Sequence, residues 1–141
     1  MSERFRWHPK AQLFDSAGQA VPRAQGTSAV LPDSPQGLAQ ACDLGAFRIG
    51  APDQPPPTMH ARPVIETLTS GSTGRPRRIL RTQASWIASF AVNAGFGIGP
   101  GAKVATLGRL IHSLSLYGAV EGLHLGAGVH LLEGLRPDRQ R

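Results

Sequence analysis

Between Thr67 and Arg78 the chain reads TLTSGSTGRPRR. Gly71 and Gly74 carry no side chain and tolerate positive φ, so the backbone amides around them can turn toward an anion. Thr69, Ser70, Ser72 and Thr73 add hydroxyl donors for phosphate oxygens. Arg75, Arg77, Arg78 and Arg81 lie within seven residues of one another and bring positive charge to the same place. These residue types, in that order, fit a loop that wraps a polyphosphate. Two familiar phosphate loops do not fit. The Walker pattern needs Gly-Lys-Ser/Thr at its end, and here Gly74 is followed by Arg75 and Pro76. The dinucleotide fingerprint needs G-x-G-x-x-G opening a helix, whereas a β-prone stretch follows this loop.

The loop resembles the phosphate-binding signature of the AMP-forming, adenylate-forming synthetases, which is roughly T-S-G-[ST]-T-G-x-P-K. That superfamily holds the acyl-CoA synthetases, the adenylation domains of peptide synthetases and the beetle luciferases. Thr69 through Gly74 match it without a break, and Pro76 matches after one intervening residue. Arg77 stands where the family usually has lysine; it keeps the charge and replaces a flexible ammonium with a planar fork. Downstream, VATLGRLIHSLSLYGAVEGLHLGAGVHLL is similar to the family's strand, histidine or aromatic segment, helix, glycine turn and strand. His112 falls where the family places a residue lining the acyl or aryl pocket near the reacting carboxylate. The resemblance covers roughly residues 62–136, about half the chain.

The resemblance implies a carboxylic acid that attacks the α-phosphorus of ATP, giving an acyl-adenylate and pyrophosphate. Coenzyme A or a carrier phosphopantetheine then takes the acyl group as a thioester. Thr69, Ser70, Gly71, Ser72, Thr73, Gly74 and Arg77 are the implied nucleotide-binding residues, and His112 and Arg77 the implied catalytic ones. Mg²⁺ is implied at the phosphates, with no protein metal ligands assigned. The implied partners are a small carboxylic acid, ATP and an acyl carrier protein, in the setting of fatty acid metabolism. The family's adenine-pocket motif, similar to Y-G-x-T-E, its ribose-binding acid and the lysine of its small C-terminal domain have no counterpart before Arg141. The expectation is an N-terminal fragment of an acid–thiol ligase that is not catalytically complete alone. Two other readings use the same arginines: a small basic module that binds nucleic acid or a carrier protein, and a degenerate remnant.

The loop needs elements to hold it. Val64, Ile65, Thr67 and Leu68 form a β-prone run before it, and Ile79 and Leu80 suggest a short strand after it. In residues 83–95, Trp86, Ile87, Phe90, Ala91 and Ala94 recur at helical spacing, with Thr82 or Ser85 as the cap and Gly95 as the end. GIGPG at 97–101 reads as a loop, Val104–Leu107 as a strand, Ser113–Leu125 as a helix and Val129–Leu132 as a strand after a turn at Gly126 and Gly128. Strand, helix and strand in about thirty residues predict a βαβ unit with parallel pairing. The predicted class is α/β, a partial βαβ-layered sheet resembling the N-terminal subdomain of adenylate-forming enzymes. Residues 1–50 show only short apolar pieces, and 51–61 read as a proline-rich linker or extended segment, leaving 62–141 as the partial adenylation domain. Trp86, Phe96 and Tyr117 read as packing residues. His60, His124 and His130 lack metal-ligand spacing and read as surface or structural.

Composition narrows the classes. The chain has 141 residues, a net charge of +6 and one cysteine, Cys42, which excludes an intramolecular disulfide framework and fits a reducing cytoplasm. No run of eighteen apolar residues exists, so no transmembrane helix is expected. MSERFRWHPK has no apolar run behind its basic residues, so no secretory signal is expected. Residues 63–141 carry nine basic and four acidic groups. No aromatics interleave with the arginine cluster, which argues against base stacking and so against nucleic acid as the partner.

Overall fold

A computed structural model describes residues 3–69 and 76–132. In chain order the elements are β1 (Gln12–Phe14), β2 (Val30–Leu31), α1 (Pro35–Ala39), β3 (Ala46–Ile49), β4 (Val64–Thr69), β5 (Arg77–Thr82), α2 (Gln83–Ala94), β6 (Lys103–Thr106), α3 (Ser113–Leu125) and β7 (Gly128–Leu131). The fold is α/β, as the sequence predicts. One sheet has the order β1-β7-β6 and is parallel throughout. The other has the order β2-β3-β4-β5, in which only β5 runs antiparallel to its neighbour.

The β6–α3–β7 unit follows the predicted pattern, with β6 and β7 in parallel register from Lys103↔Gly128 to Thr106↔Leu131. Two glycines let α3 lie against this pair. A Cβ on Gly122 would come within 2.5 Å of Val129 Cγ2, so only glycine permits the close approach. Gly126 closes α3 at φ 97°, a left-handed cap that glycine adopts without cost. In α2 the cap is Thr82, whose side chain accepts from the Ser85 amide. Gln83 is buried at the start of that helix. Its amide donates to the carbonyls of Leu44 and Val64, and its Oε1 accepts from the Phe5 amide.

The weakly patterned region supplies four elements, β1, β2, α1 and β3. Their brevity is why no period shows in the sequence: β2 has two residues and β1 three. β1 gains its identity from β7, pairing Leu13 with Val129. In β3 a fully buried arginine interrupts the apolar run. α1 does carry a local signal, with Ser34 accepting from the Gly37 amide and proline at its first turn. β3 and β4, on either side of the proline-rich segment, are parallel neighbours in one sheet.

The core joins both sheets to the helices through Leu13, Leu31, Phe47, Ile65, Phe90, Leu116 and Val129. Phe5 is its N-terminal plug, fully buried with ring centroids 5.7 Å from Trp86, 5.9 Å from Phe90 and 6.0 Å from Phe47. Trp86 and Tyr117 pack on this core, as expected of them. Phe96 does not; it is 84% exposed just past the end of α2. Phe5→Ala should cost about 3–5 kcal/mol of unfolding free energy, and urea denaturation would measure it.

Candidate functional site

β4 and β5 form an antiparallel pair whose open end carries the glycine-rich loop. Thr69, the last residue of β4, lies directly across from Arg77, the first of β5. Ser70, Gly71, Ser72, Thr73 and Gly74 lie outside the described residues. Alternation along a strand sends successive side chains to opposite faces, which sorts the hairpin. Thr67, Thr69, Arg77, Ile79 and Arg81 share one face. Glu66, Leu68, Arg78 and Leu80 share the other. The clustered arginines are therefore not one patch: Arg77 and Arg81 go one way and Arg78 the other.

The Arg78 face is tied down by charge. Arg48 of β3 sits beside Glu66 of β4 in register and is fully buried. Its Nη1 donates to Glu66 Oε1 at 2.6 Å and to the Pro55 carbonyl at 2.7 Å. Its remaining donors reach the carbonyls of Gly50, Ala51 and Gln54. The other Glu66 oxygen accepts from Arg78 Nε at 3.1 Å, and Arg78 Nη2 donates to the Pro55 carbonyl at 3.0 Å. The proline-rich segment is thus held against the sheet by its carbonyls, which proline keeps although it lacks a donor.

The opposite face opens on a cleft of about 290 Å³ between the hairpin and the two longer helices. Thr67, Ile79, Arg81, Trp86, Leu114 and Tyr117 line it. Leu114 is 86% exposed at the start of α3. Tyr117 is fixed by donating to Ser89 Oγ at 2.7 Å, and Asn93 of α2 donates to the buried Glu121 of α3 at 2.6 Å. Apolar walls, one guanidinium and a hydroxyl face suit a small organic anion. Arg77 is exposed, and no acidic side chain pairs with it among the described residues. Thr69 and Arg77 therefore offer a hydroxyl and an exposed cation at the loop's base, a donor set that fits phosphate oxygens.

His112 stands at the N-cap of α3, where its side chain makes no capping bond. Its Nδ1 lies 3.4 Å from the carbonyl of Leu68, and the Leu68 amide donates to the Ile111 carbonyl at 3.2 Å. The structure thus brings His112, Thr69 and Arg77 to the same end of β4. The segment after β6 makes this possible by running across the carboxyl ends of the second sheet's parallel strands. Asp33, just beyond β2, accepts from the Leu110 amide at 3.0 Å and from Arg109 Nε at 3.2 Å. Ile111 packs against Gly50 beyond β3. The carboxyl ends of parallel strands are where open α/β sheets bind ligands. Sequence reasoning missed Asp33 and Arg48. Asp33 had a turn signal, PDSP, that marks a loop without revealing its partner; Arg48 had none.

The remaining titratable groups divide between inert and structural. Burial, with Asp43 adding to it, pushes the Cys42 thiol up to about 12. His124, in the last turn of α3, is buried, and desolvation, Arg6 and His8 together lower it to about 4. A helix C-terminus favours a charged histidine by about 0.3–1 kcal/mol, and desolvation outweighs it here. The neutral ring accepts from the Arg6 amide at Nδ1 and packs on Phe90. His60 is exposed, and His130 stacks on Phe14. Among the described residues no group of three His, Cys, Asp or Glu side chains is placed to hold a metal, and no helix is long and apolar enough to cross a membrane.

The chain is similar to YhfT of Bacillus subtilis, an acyl-CoA ligase itself uncharacterized, with 40% identity over 80 residues, 56% of this chain and 17% of that protein. It is also similar to VraA of Staphylococcus haemolyticus, provisionally named a long chain fatty acid-CoA ligase, with 41% identity over 58 residues, 41% of this chain and 13% of that one. VraA of Staphylococcus aureus matches to the same extent. The matched stretch is less than a fifth of these curated relatives. No family model matches the chain.

The burial of His124 and Cys42 has two measurable consequences. The folded protein holds His124 neutral down to about pH 4, whereas the unfolded chain takes up that proton near pH 6.5. Stability present above pH 6.5 is therefore lost as pH falls toward 4, by on the order of 3 kcal/mol. Urea denaturation across that range should show the loss, and His124→Gln should flatten it. Native Cys42 should resist iodoacetamide at pH 8 and react only after unfolding, as mass spectrometry would read.

Proposed function

We propose that this chain is the phosphate-binding part of an AMP-forming acid–CoA ligase. The observation that carries the reading is the unbroken T-S-G-S-T-G run of residues 69–74, set between β4 and β5, where Thr69 and Arg77 face each other across the strand pair. The similarity to proteins named as acyl-CoA ligases supports it. In the reaction a carboxylate oxygen bonds to the α-phosphorus of ATP and pyrophosphate leaves. The thiol of coenzyme A, or of a carrier phosphopantetheine, then bonds to the acyl carbon and AMP leaves. Mg²⁺ accompanies the nucleotide as its counter-ion, since it is usually held by phosphates rather than by an all-protein cage.

In this reading Thr69, Ser70, Gly71, Ser72, Thr73 and Gly74 hold the β- and γ-phosphates through hydroxyls and backbone amides. Arg77 offers two parallel donors to phosphate oxygens where the family has a single ammonium. His112, placed one residue from Thr69 by its contact with Leu68, orients the acid's carboxylate toward the nucleotide. The residues of the cleft, with apolar walls and Arg81, receive the organic part of the acid. The work of these groups is positioning and charge stabilisation, which accounts for most of the barrier lowering in phosphoryl and adenylyl chemistry. The expected setting is the cytoplasm. The resembled family's adenine- and ribose-contacting motifs have no counterpart in these 141 residues, so binding is expected of them and turnover is not.

Calorimetry with MgATP tests this directly. The chain should bind the nucleotide, and Gly71→Val with Gly74→Val should weaken binding at least about tenfold while leaving retention on heparin unchanged. Nucleic-acid affinity that falls steeply with salt, together with no response to MgATP, would move the assignment to a basic binding module. Acid-dependent pyrophosphate exchange by the chain alone would show that it is catalytically sufficient and overturn the incomplete-ligase reading.

A further inference from the structure

β5 has no fully buried residue; its pattern is exposed or half-buried throughout. Burial normally fixes strand register, because a slip of one residue moves every side chain to the other face. Burial alone therefore specifies the register of β5 only weakly. Near the loop, what specifies it is charge: Glu66, buried in β4, accepts from Arg78, and Arg78 also reaches the Pro55 and Pro56 carbonyls, while at the far end of the strand the buried Gln83 donates to the Val64 carbonyl. The second oxygen of Glu66 is held by the fully buried Arg48, so the carboxylate cannot follow β5 if that strand slides. A buried ion pair adds little net stability over an apolar pair of the same size, and its best-attested use is to fix register.

We propose that Glu66 and Arg78 form a register lock that holds Arg77 across from Thr69 on the cleft face, making Glu66 a positioning residue for anion binding there. With Arg78 locked to one face, alternation places Arg77 on the other, beside Thr69, Thr67 and Arg81. A slip of one residue would send the Arg77 side chain to the Glu66 side and leave the loop's base without its cation. This inference rests on the phosphate-binding reading of the loop. It adds to it a residue that touches no ligand and acts through the strand pairing.

A double-mutant cycle in the full 141-residue chain tests it, with MgATP and inorganic tripolyphosphate as probes and calorimetry as readout. Arg77→Gln should weaken binding about tenfold in the parent chain. In a Glu66→Gln or Arg78→Gln background the same Arg77 substitution should cost less than about twofold, because Arg77 is no longer presented. A merely structural role would lower the melting temperature and leave the Arg77 penalty the same in every background, and that result overturns the lock. Arg78 is partly exposed, so Arg78→Gln keeps the test decisive if Glu66→Gln does not fold. A parent chain that binds neither probe overturns the phosphate-binding reading and the lock with it. Binding that depends on Arg77 without coupling to Glu66 or Arg78 overturns the lock alone.

Discussion

A carboxylate between two guanidiniums organises one half of this molecule. Glu66 sits in the middle strand of three, with Arg48 on one side and Arg78 on the other. Arg48 is buried and spends its donors on Glu66 and on carbonyls of residues 50–55. Neither ion could be left alone in that setting, because an unpaired buried charge costs several kcal/mol, roughly 3–5 when one partner of a pair is removed. The network therefore imposes its geometry on everything attached to it. It fixes β3 against β4 and β4 against β5, and it folds the proline-rich segment back onto the sheet. That segment contains residues that cannot join a ladder themselves, so the arginines supply the order the backbone cannot.

The other half is organised by packing. α3 lies close on β6 and β7 because Gly122 leaves room for Val129, and the residues before α3 cross the ends of β2, β3 and β4. Asp33 accepts from the Leu110 amide, Gly50 meets Ile111, and Leu68 bonds to the same residue. The two sheets thus present their carboxyl ends to one segment, 107–112. The loop-bearing end of β4 and the start of α3 become neighbours although 44 residues separate Leu68 from His112. Charge sets which face of the hairpin looks at the cleft, and packing sets what stands opposite. The proposed phosphate loop and acid pocket need both.

The N-terminal residues join the halves. Phe5 inserts among rings from β3 and α2, while its amide is claimed by Gln83. The next residue's amide donates to His124 in α3, so the chain's start is stitched to the helix that closes the βαβ unit. Holding that histidine neutral is the consequence of burying it beside Arg6 and His8, and it links the integrity of the core to pH.

Local chemistry made part of this legible in the sequence alone. The T-S-G-S-T-G run, the helical spacing in 83–95 and 113–125, the turn at Gly126 and Gly128 and the βαβ order all depend on residues close in the chain, so their physics is written next to one another. Thr69 could be named from the loop's residue types, whereas Arg77 and His112 are named through the resemblance to the adenylate-forming signature. Tertiary structure alone decided the rest. β1 is three residues long and exists as a strand because β7, more than a hundred residues away, pairs with it. Arg48 looks like any surface arginine until β3 sets it beside Glu66. Among Arg77, Arg78 and Arg81 the sequence shows only a cluster of charge; strand register divides them, giving one to a buried carboxylate and turning two to the opposite face. A side chain's neighbours within one turn follow from spacing, whereas its neighbours across a sheet follow from pairing that only the folded chain fixes.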